Sequence, residues 1–136
     1  MAEPRVLKFE EQTWHERGTG AKTRVLVSRR IGSESITNGV TYFPPGSKIP
    51  VHWHNCDESV MILEGNAVCE IDGQRYPMTQ YDTTFVPANV PHRFLNESDK
   101  PMSIVWNYAA GYVTRTFADT GVTVEHLADI EKASVK

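Results

Sequence analysis

Three side chains able to bind a metal ion, His52, His54 and Glu58, fall within seven residues in the stretch GSKIPVHWHNCDESVMILEG, Gly46 to Gly65. Their surroundings read as β-strand, and residues two apart on a strand project to the same side. His52 and His54 therefore act together. Glu58, at the start of the next apolar run, returns to that side after a short turn through Asn55, Cys56 and Asp57. Two imidazoles and a carboxylate converging in this way outline a chelate.

A chelate needs a frame. The chain has 136 residues, enough for one domain with a real core and no need of disulfide staples. A formal net charge of -3, with no run of Lys or Arg, argues against nucleic acid or a membrane surface as the main partner. A small-molecule substrate fits better. No apolar stretch reaches the length of a membrane span, and the start MAEPRVLKFEEQ has no basic head followed by an apolar segment, so a cytoplasmic protein is expected. Cys56 and Cys69 have no zinc-site spacing and are expected to stay reduced.

Most of the chain alternates with period two between turn signals. Residues 1–20 read as an N-terminal arm that either adds an edge strand or stays loose. Strands are expected at Arg24 to Ser28, Ile36 to Phe43, Ile49 to His54, Glu58 to Leu63, Ala67 to Ile71 and Gln74 to Met78. Asp72-Gly73 between the last two is a strong hairpin signal. Further strands are expected at Thr83 to Val86, His92 to Asn96, Met102 to Tyr108 and Gly111 to Phe117. The barrel proper thus covers 21–118. In the tail, 119–136, Val124 to Lys132 carries a helical pattern, with Thr123 as N-cap. Many short strands with turns between them describe an all-β sandwich or barrel.

The residues also match a family. Gly46-x5-His52-x-His54-x3-Glu58-x6-Gly65 reproduces every fixed position of the first signature motif of the cupin superfamily, and Tyr81 to Asn96 resembles the second, G-x5-P-x-G-x2-H-x3-N, with Pro87, His92 and Asn96 in place. Tyr81 and Asn89 stand where that pattern has glycines. Asparagine tolerates a left-handed backbone, whereas tyrosine there has no such rationale.

The resemblance implies an all-β cupin fold, a double-stranded β-helix or jelly-roll barrel, here with a short C-terminal helix. It also implies metal ligands His52, His54, Glu58 and His92, holding one divalent transition metal per chain. Three imidazoles and a carboxylate suit Fe(II), which is favoured, as well as Mn(II), Ni(II), Co(II) or Zn(II). Each imidazole should donate its second ring N–H to an acceptor, Asn96 or a backbone carbonyl. Cupins catalyse many reactions and some only bind, so fold does not choose among them.

Strand parity outlines the pocket. Val60 and Ile62 share the side of Glu58, and Met102, Ile104, Trp106 and Tyr108 share one face, with Phe94 and Phe85 adding aromatic wall. Tyr108, and Tyr42 behind it, are the expected catalytic hydroxyls, each as general acid or orienting donor. Arg24, Arg93 and Arg115 are the strand cations available to a substrate carboxylate. Cys56 reads as a small loop residue near the mouth and Cys69 as core. His15 and His126 receive no role. Trp53, Met61 and Leu63 point away from the ligands and want cover, from a second sheet or from a second copy in a homodimer.

Two classes of function follow. The first is a metal-dependent enzyme, foremost an iron dioxygenase acting on a diketone, enol or phenolic compound, with isomerase, decarboxylase or lyase chemistry on a redox-silent metal as the alternative. The second is a binding module without turnover.

Overall fold

A computed structural model describes residues 2–126. The strands are β1 (His15–Glu16), β2 (Lys22–Val25), β3 (Thr37–Phe43), β4 (His52–His54), β5 (Glu58–Glu64), β6 (Ala67–Ile71), β7 (Gln74–Met78), β8 (Thr83–Val86), β9 (His92–Leu95), β10 (Met102–Tyr108), β11 (Thr114–Phe117) and β12 (Thr123–Glu125). They form two six-stranded sheets, ordered β1-β2-β3-β10-β5-β8 and β12-β11-β4-β9-β6-β7. Every pairing is antiparallel. No described helix is long and apolar enough to cross a membrane.

One core cluster draws on both sheets, with Val60, Ile62, Met102, Ile104, Trp106 and Tyr108 from the first and Ala67, Cys69 and Phe94 from the second. On β10 the period of two is strict, with Met102, Ile104, Trp106 and Tyr108 all buried. Opposite Trp106 in the ladder stands Gly39. A methyl group there would overlap the indole ring and the Arg24 carbonyl, so only glycine lets the tryptophan lie flat on β3. The indole N–H donates to Thr41 Oγ1 at 2.9 Å, and that hydroxyl meets Thr23 Oγ1 at 2.9 Å. Asp72 and Gly73 have φ of 51° and 82° and join β6 to β7 with Ile71 paired to Gln74, the two-residue hairpin that their types predict.

Three expectations are corrected. First, Tyr42, expected behind Tyr108 at the site, lies with Val40 on the outer face of β3, while Thr37, Thr41 and Phe43 are buried inward. The outer face is apolar because the N-terminal arm covers it: Phe9, Trp14, Val40, Tyr42 and Leu63 line one depression. Arg24 stacks over Phe9 and Trp14 at 4.5 and 4.4 Å, and Lys22 lies 4.8 Å from the Trp14 ring and 5.3 Å from that of Tyr42. Such cation–π contacts hold the arm down.

Second, Phe85 is 66% exposed, because Thr84 and Val86 take the inward positions of β8. Third, Thr123 to Glu125 extend along β11 as β12 rather than start a helix, and the Thr123 hydroxyl meets Thr116 Oγ1 at 2.7 Å instead of capping one. The remainder of the expected helix, Leu127 to Lys132, lies outside the described residues.

The two motif positions that depart from glycine do adopt the glycine conformation. Asn89 has φ 69° and Tyr81 has φ 73°. Tyr81 holds that turn through its backbone, its N–H donating to the Ile62 carbonyl at 2.8 Å while its ring stays in solvent, 67% exposed. A tyrosine in this region costs about 1–2 kcal/mol relative to glycine.

Candidate metal centre

Adjacent strands of the second sheet deliver the histidines. His52 pairs with His92 across the β4–β9 ladder, and His54 follows on the same face of β4. Glu58 opens β5 in the other sheet, paired with both Tyr108 and Val86. The site therefore spans the gap between the two sheets. All four residues are buried, and one ligand atom from each falls within 4.8 Å of the others.

The outward nitrogens fix the rings. Nδ1–H of His52 donates to the Pro50 carbonyl at 2.7 Å, that of His54 to Thr114 at 3.0 Å and that of His92 to Val90 at 2.9 Å. Backbone carbonyls thus serve all three, and each Nε2 lone pair faces the centre. Asn96 plays a different part. Its amide donates to the carbonyls of Phe43, Pro44 and Lys100 and its oxygen accepts from Ser98, which pins the end of β9 to the end of β3.

The inner atoms suit a cation. His54 Nε2, His92 Nε2 and Glu58 Oε1 are buried without a hydrogen-bond partner, although the two nitrogens lie 3.3 and 3.1 Å from the Glu58 carboxylate. With Nδ1–H bonded outward, an imidazole that gives up its second proton presents its Nε2 lone pair to the centre, the form a metal ion would require. Burial alone would raise the Glu58 carboxyl, yet the adjoining His54 and His92 hold it well below the usual carboxylate range. Burial, followed by the neighbouring His92 and His54, keeps His52 well below the ordinary histidine value. An ionised carboxylate and three inward lone pairs fit a divalent transition metal.

Beside the ligands lies a cavity of about 40 Å³, room for a few water molecules. Phe43, Ile49, Val60, Phe94, Ile104 and Trp106 give it apolar walls, and Thr23, Thr41, Tyr108, Arg17, Arg115 and His126 give it polar ones. Tyr108 stands where the sequence places it, its ring centroid 4.6 Å from that of His54. Burial, then the charge of Glu58, raises its phenol well above the ordinary value, so it remains a donor. Tyr42 does not reach the cavity. It occupies the outer face of β3 beneath Lys22, as the corrected parity of that strand requires.

Of the three expected cations only Arg115 lines the cavity, directly across the ladder from His54. Arg24 is stacked on the arm, and Arg93 donates to Glu70 at 2.6 Å. Two lining residues were not legible. Arg17 arrives on the arm, after β1 pairs with β2. His126 is placed by the ladder, its N–H donating to the Val113 carbonyl at 2.7 Å, and an ion pair between Arg29 and Glu125 ties down the same segment. Burial, then the nearby Arg115, keeps His126 well below the ordinary histidine value. Cys56 and Cys69 are both free and buried.

Comparisons with known proteins agree with this geometry. The chain is 27% identical over 105 residues to polyketide synthase CurC from Streptomyces cyaneus, covering 76% of this chain and 68% of that protein. It is 27% identical over 120 residues to gentisate 1,2 dioxygenase 1 from Aquipseudomonas alcaligenes, covering 82% of this chain. It spans only 34% of that dioxygenase's length. Among solved structures, the polyketide cyclase RemF from Streptomyces resistomycificus superposes with a TM-score of 0.72 at 16% identity, over 88% of this chain and 89% of its own. Residues 39–108, from the glycine under Trp106 to the tyrosine beside His54, match the family described as the cupin domain. With two antiparallel sheets closing on a three-histidine, one-glutamate cluster, the chain belongs to the cupin family.

Proposed function

We propose that this chain is a metal-dependent enzyme acting on a small oxygenated substrate, a diketone, enol or phenol, with iron-dependent dioxygenation as the leading reaction. The observation that supports it is the buried convergence of His52, His54, Glu58 and His92 beside a cavity lined by both apolar and polar side chains. A divalent transition metal held there supplies Lewis-acid polarisation of substrate oxygens and, when the ion is iron, dioxygen chemistry.

The protein's own part is orientation and proton control. The backbone carbonyls that hold each Nδ1–H prevent the imidazoles from turning. Phe94, Ile104 and Trp106 exclude water from the substrate. Tyr108 offers its hydroxyl proton to a substrate oxygen, as general acid or orienting donor. The similarity to gentisate 1,2 dioxygenase 1 supports dioxygenation. A second reading, cyclisation or isomerisation on a redox-silent metal, gains from RemF and CurC, whose lengths the chain covers more fully.

Elemental analysis of untagged protein, paired with oxygen uptake on a panel of diketones and phenols, tests the proposal. Iron with oxygen consumption supports dioxygenation, and zinc or nickel with turnover but no uptake supports the second reading. A wild type that carries no transition metal after reconstitution defeats both. His52→Ala and Glu58→Ala should each lose the metal. We also propose a homodimer, motivated by Met61 and Phe85, which stay exposed on the outer face of β5 and of the edge strand β8. A monomer by light scattering at micromolar concentration would refute it.

A further inference from the structure

We propose that His126 is a substrate-positioning residue of the metal cavity, its ring nitrogen Nδ1 bonding to an oxygen of the bound molecule while Nε2 holds the hydroxyl of Tyr108. The inference rests on the reading of the cavity as a substrate site and adds which oxygens the wall recognises.

The fold places the ring. Thr114 pairs with Glu125 at the end of the β11–β12 ladder, and the next backbone N–H, that of His126, donates to the Val113 carbonyl at 2.7 Å. The imidazole that follows lines the same cavity as His52, Glu58 and His92. Three rings enclose it: Tyr108 at 5.1 Å between centroids and nearly perpendicular, His54 at 5.1 Å and Trp106 at 6.1 Å. Such packing leaves it little freedom to turn.

The two nitrogens differ. Nε2 lies 3.1 Å from the Tyr108 hydroxyl. Nδ1 is buried and has no hydrogen-bond partner among the described residues. An unpaired polar atom in such a place is costly, and a phenylalanine would fill the space without that cost. Core packing therefore accounts for the ring but not for Nδ1, and the adjoining cavity is where its partner can sit. Neighbouring neutral groups are bonded to one another instead: the Trp106 N–H donates to Thr41 Oγ1, which meets Thr23 Oγ1.

The chemistry of the pair specifies the ligand. Burial, and then the charge of Arg115, keeps the imidazole neutral, so it offers one donor and one acceptor. A substrate hydroxyl that donates to Nδ1 keeps the ring proton on Nε2, which then donates to the Tyr108 oxygen. The phenolic hydrogen is thereby released toward a second substrate oxygen. A lone carbonyl reverses the order, accepting from Nδ1–H while Tyr108 donates to Nε2, and gains no second bond. Two adjacent oxygens, at least one of them a hydroxyl, satisfy both residues at once. The expected ligand is therefore a small compound with vicinal oxygens, of the catechol or enol-ketone kind.

The test titrates catechol and 1,2-difluorobenzene, similar in shape but only the first able to donate, into metal-free and metal-loaded protein by calorimetry. Two variants separate the nitrogens, because the glutamine amide of His126→Gln reaches the place of Nε2 and the asparagine amide of His126→Asn that of Nδ1. His126→Gln should keep its stability in denaturant near that of the wild type and weaken catechol about tenfold, the worth of one buried hydrogen bond, with difluorobenzene unchanged. His126→Asn should lose stability yet bind catechol within about threefold of the wild type. In nitrogen NMR of histidine-labelled, metal-free protein, catechol should move the Nδ1 resonance that His126→Gln deletes. A wild type that does not bind catechol, a resonance that does not move, equal loss of both ligands in His126→Gln, or weaker catechol binding by His126→Asn than by His126→Gln would overturn the inference. Metal content measured on the same samples separates the two readings. Catechol binding that depends on His126 in protein unable to hold metal would leave the positioning role standing while refuting the metalloenzyme.

Discussion

The Tyr108 hydroxyl lies 3.1 Å from Nε2 of His126, joining the strand that faces Glu58 to the last described segment of the chain. His54 stacks against both rings, with centroids 4.6 and 5.1 Å away. Burial keeps the phenol protonated and the imidazole neutral, and the tautomer of His126 sets which of the two donates.

That bond should hold the segment after β12 onto the cavity. Removing one partner of a buried hydrogen bond costs about 1–3 kcal/mol, so Tyr108→Phe and His126→Phe should each lower stability by that order in denaturant titration. The double variant should cost less than the sum of the two, because they share one interaction. In turnover, Tyr108→Phe should reduce kcat by at least about tenfold if the hydroxyl serves as acid or donor. Additive stability losses would show that the pair is not coupled.

At Tyr81 the backbone conformation belongs to glycine and the side chain contributes little. Tyr81→Gly should stabilise the protein by about 0.5–1 kcal/mol, the relief of left-handed strain less the entropy that glycine loses. A Tm increase of a few degrees in calorimetry checks it. A decrease would mean that the exposed ring makes a contact in solution, for instance in the proposed dimer.

The close approach of Trp106 to Gly39 predicts the opposite sign. Gly39→Ala forces the indole off β3, and overpacking of this kind costs about 1–3 kcal/mol. It should also break the Trp106–Thr41 hydrogen bond and shift tryptophan fluorescence. An unchanged spectrum with unchanged stability would contradict the packing.

For the metal-free protein, pH dependence follows from His52 and His126. Both have folded pKa values held below the ordinary histidine value near 6.5 by burial. Between the folded value and 6.5 the unfolded chain binds more protons than the folded one, so stability falls as pH falls through that window. The depressed Glu58 carboxyl has the same sign at lower pH: its contribution is present above the unfolded carboxylate value and lost as pH falls toward the folded one. His92, pushed up by Glu58 against its burial, opposes the trend, its contribution present below 6.5 and lost as pH rises through its folded value. Denaturant midpoints measured from pH 8 to pH 5 should decline on acidification, and His126→Phe should flatten the decline. A midpoint that rises toward pH 5 would show that His92 dominates.

Motif spacing picked out the candidate metal cluster, because His52, His54 and Glu58 are close in sequence and strand parity alone brings the histidines to one side. The hairpin at Asp72-Gly73 was equally local, set by residue types that accept positive φ. The inward face of β10 followed from its unbroken alternation. The face of β3 did not, since an apolar alternation says that a face is covered without saying by what, and here the cover is the arm carrying Phe9 and Trp14. Tyr42 went astray for the same reason. Arg17 and His126 carry no local signal at all. Each is brought to the cavity by pairing between distant strands, β1 on β2 and β12 on β11, and such long-range registers arise only when the two sheets assemble around a common core.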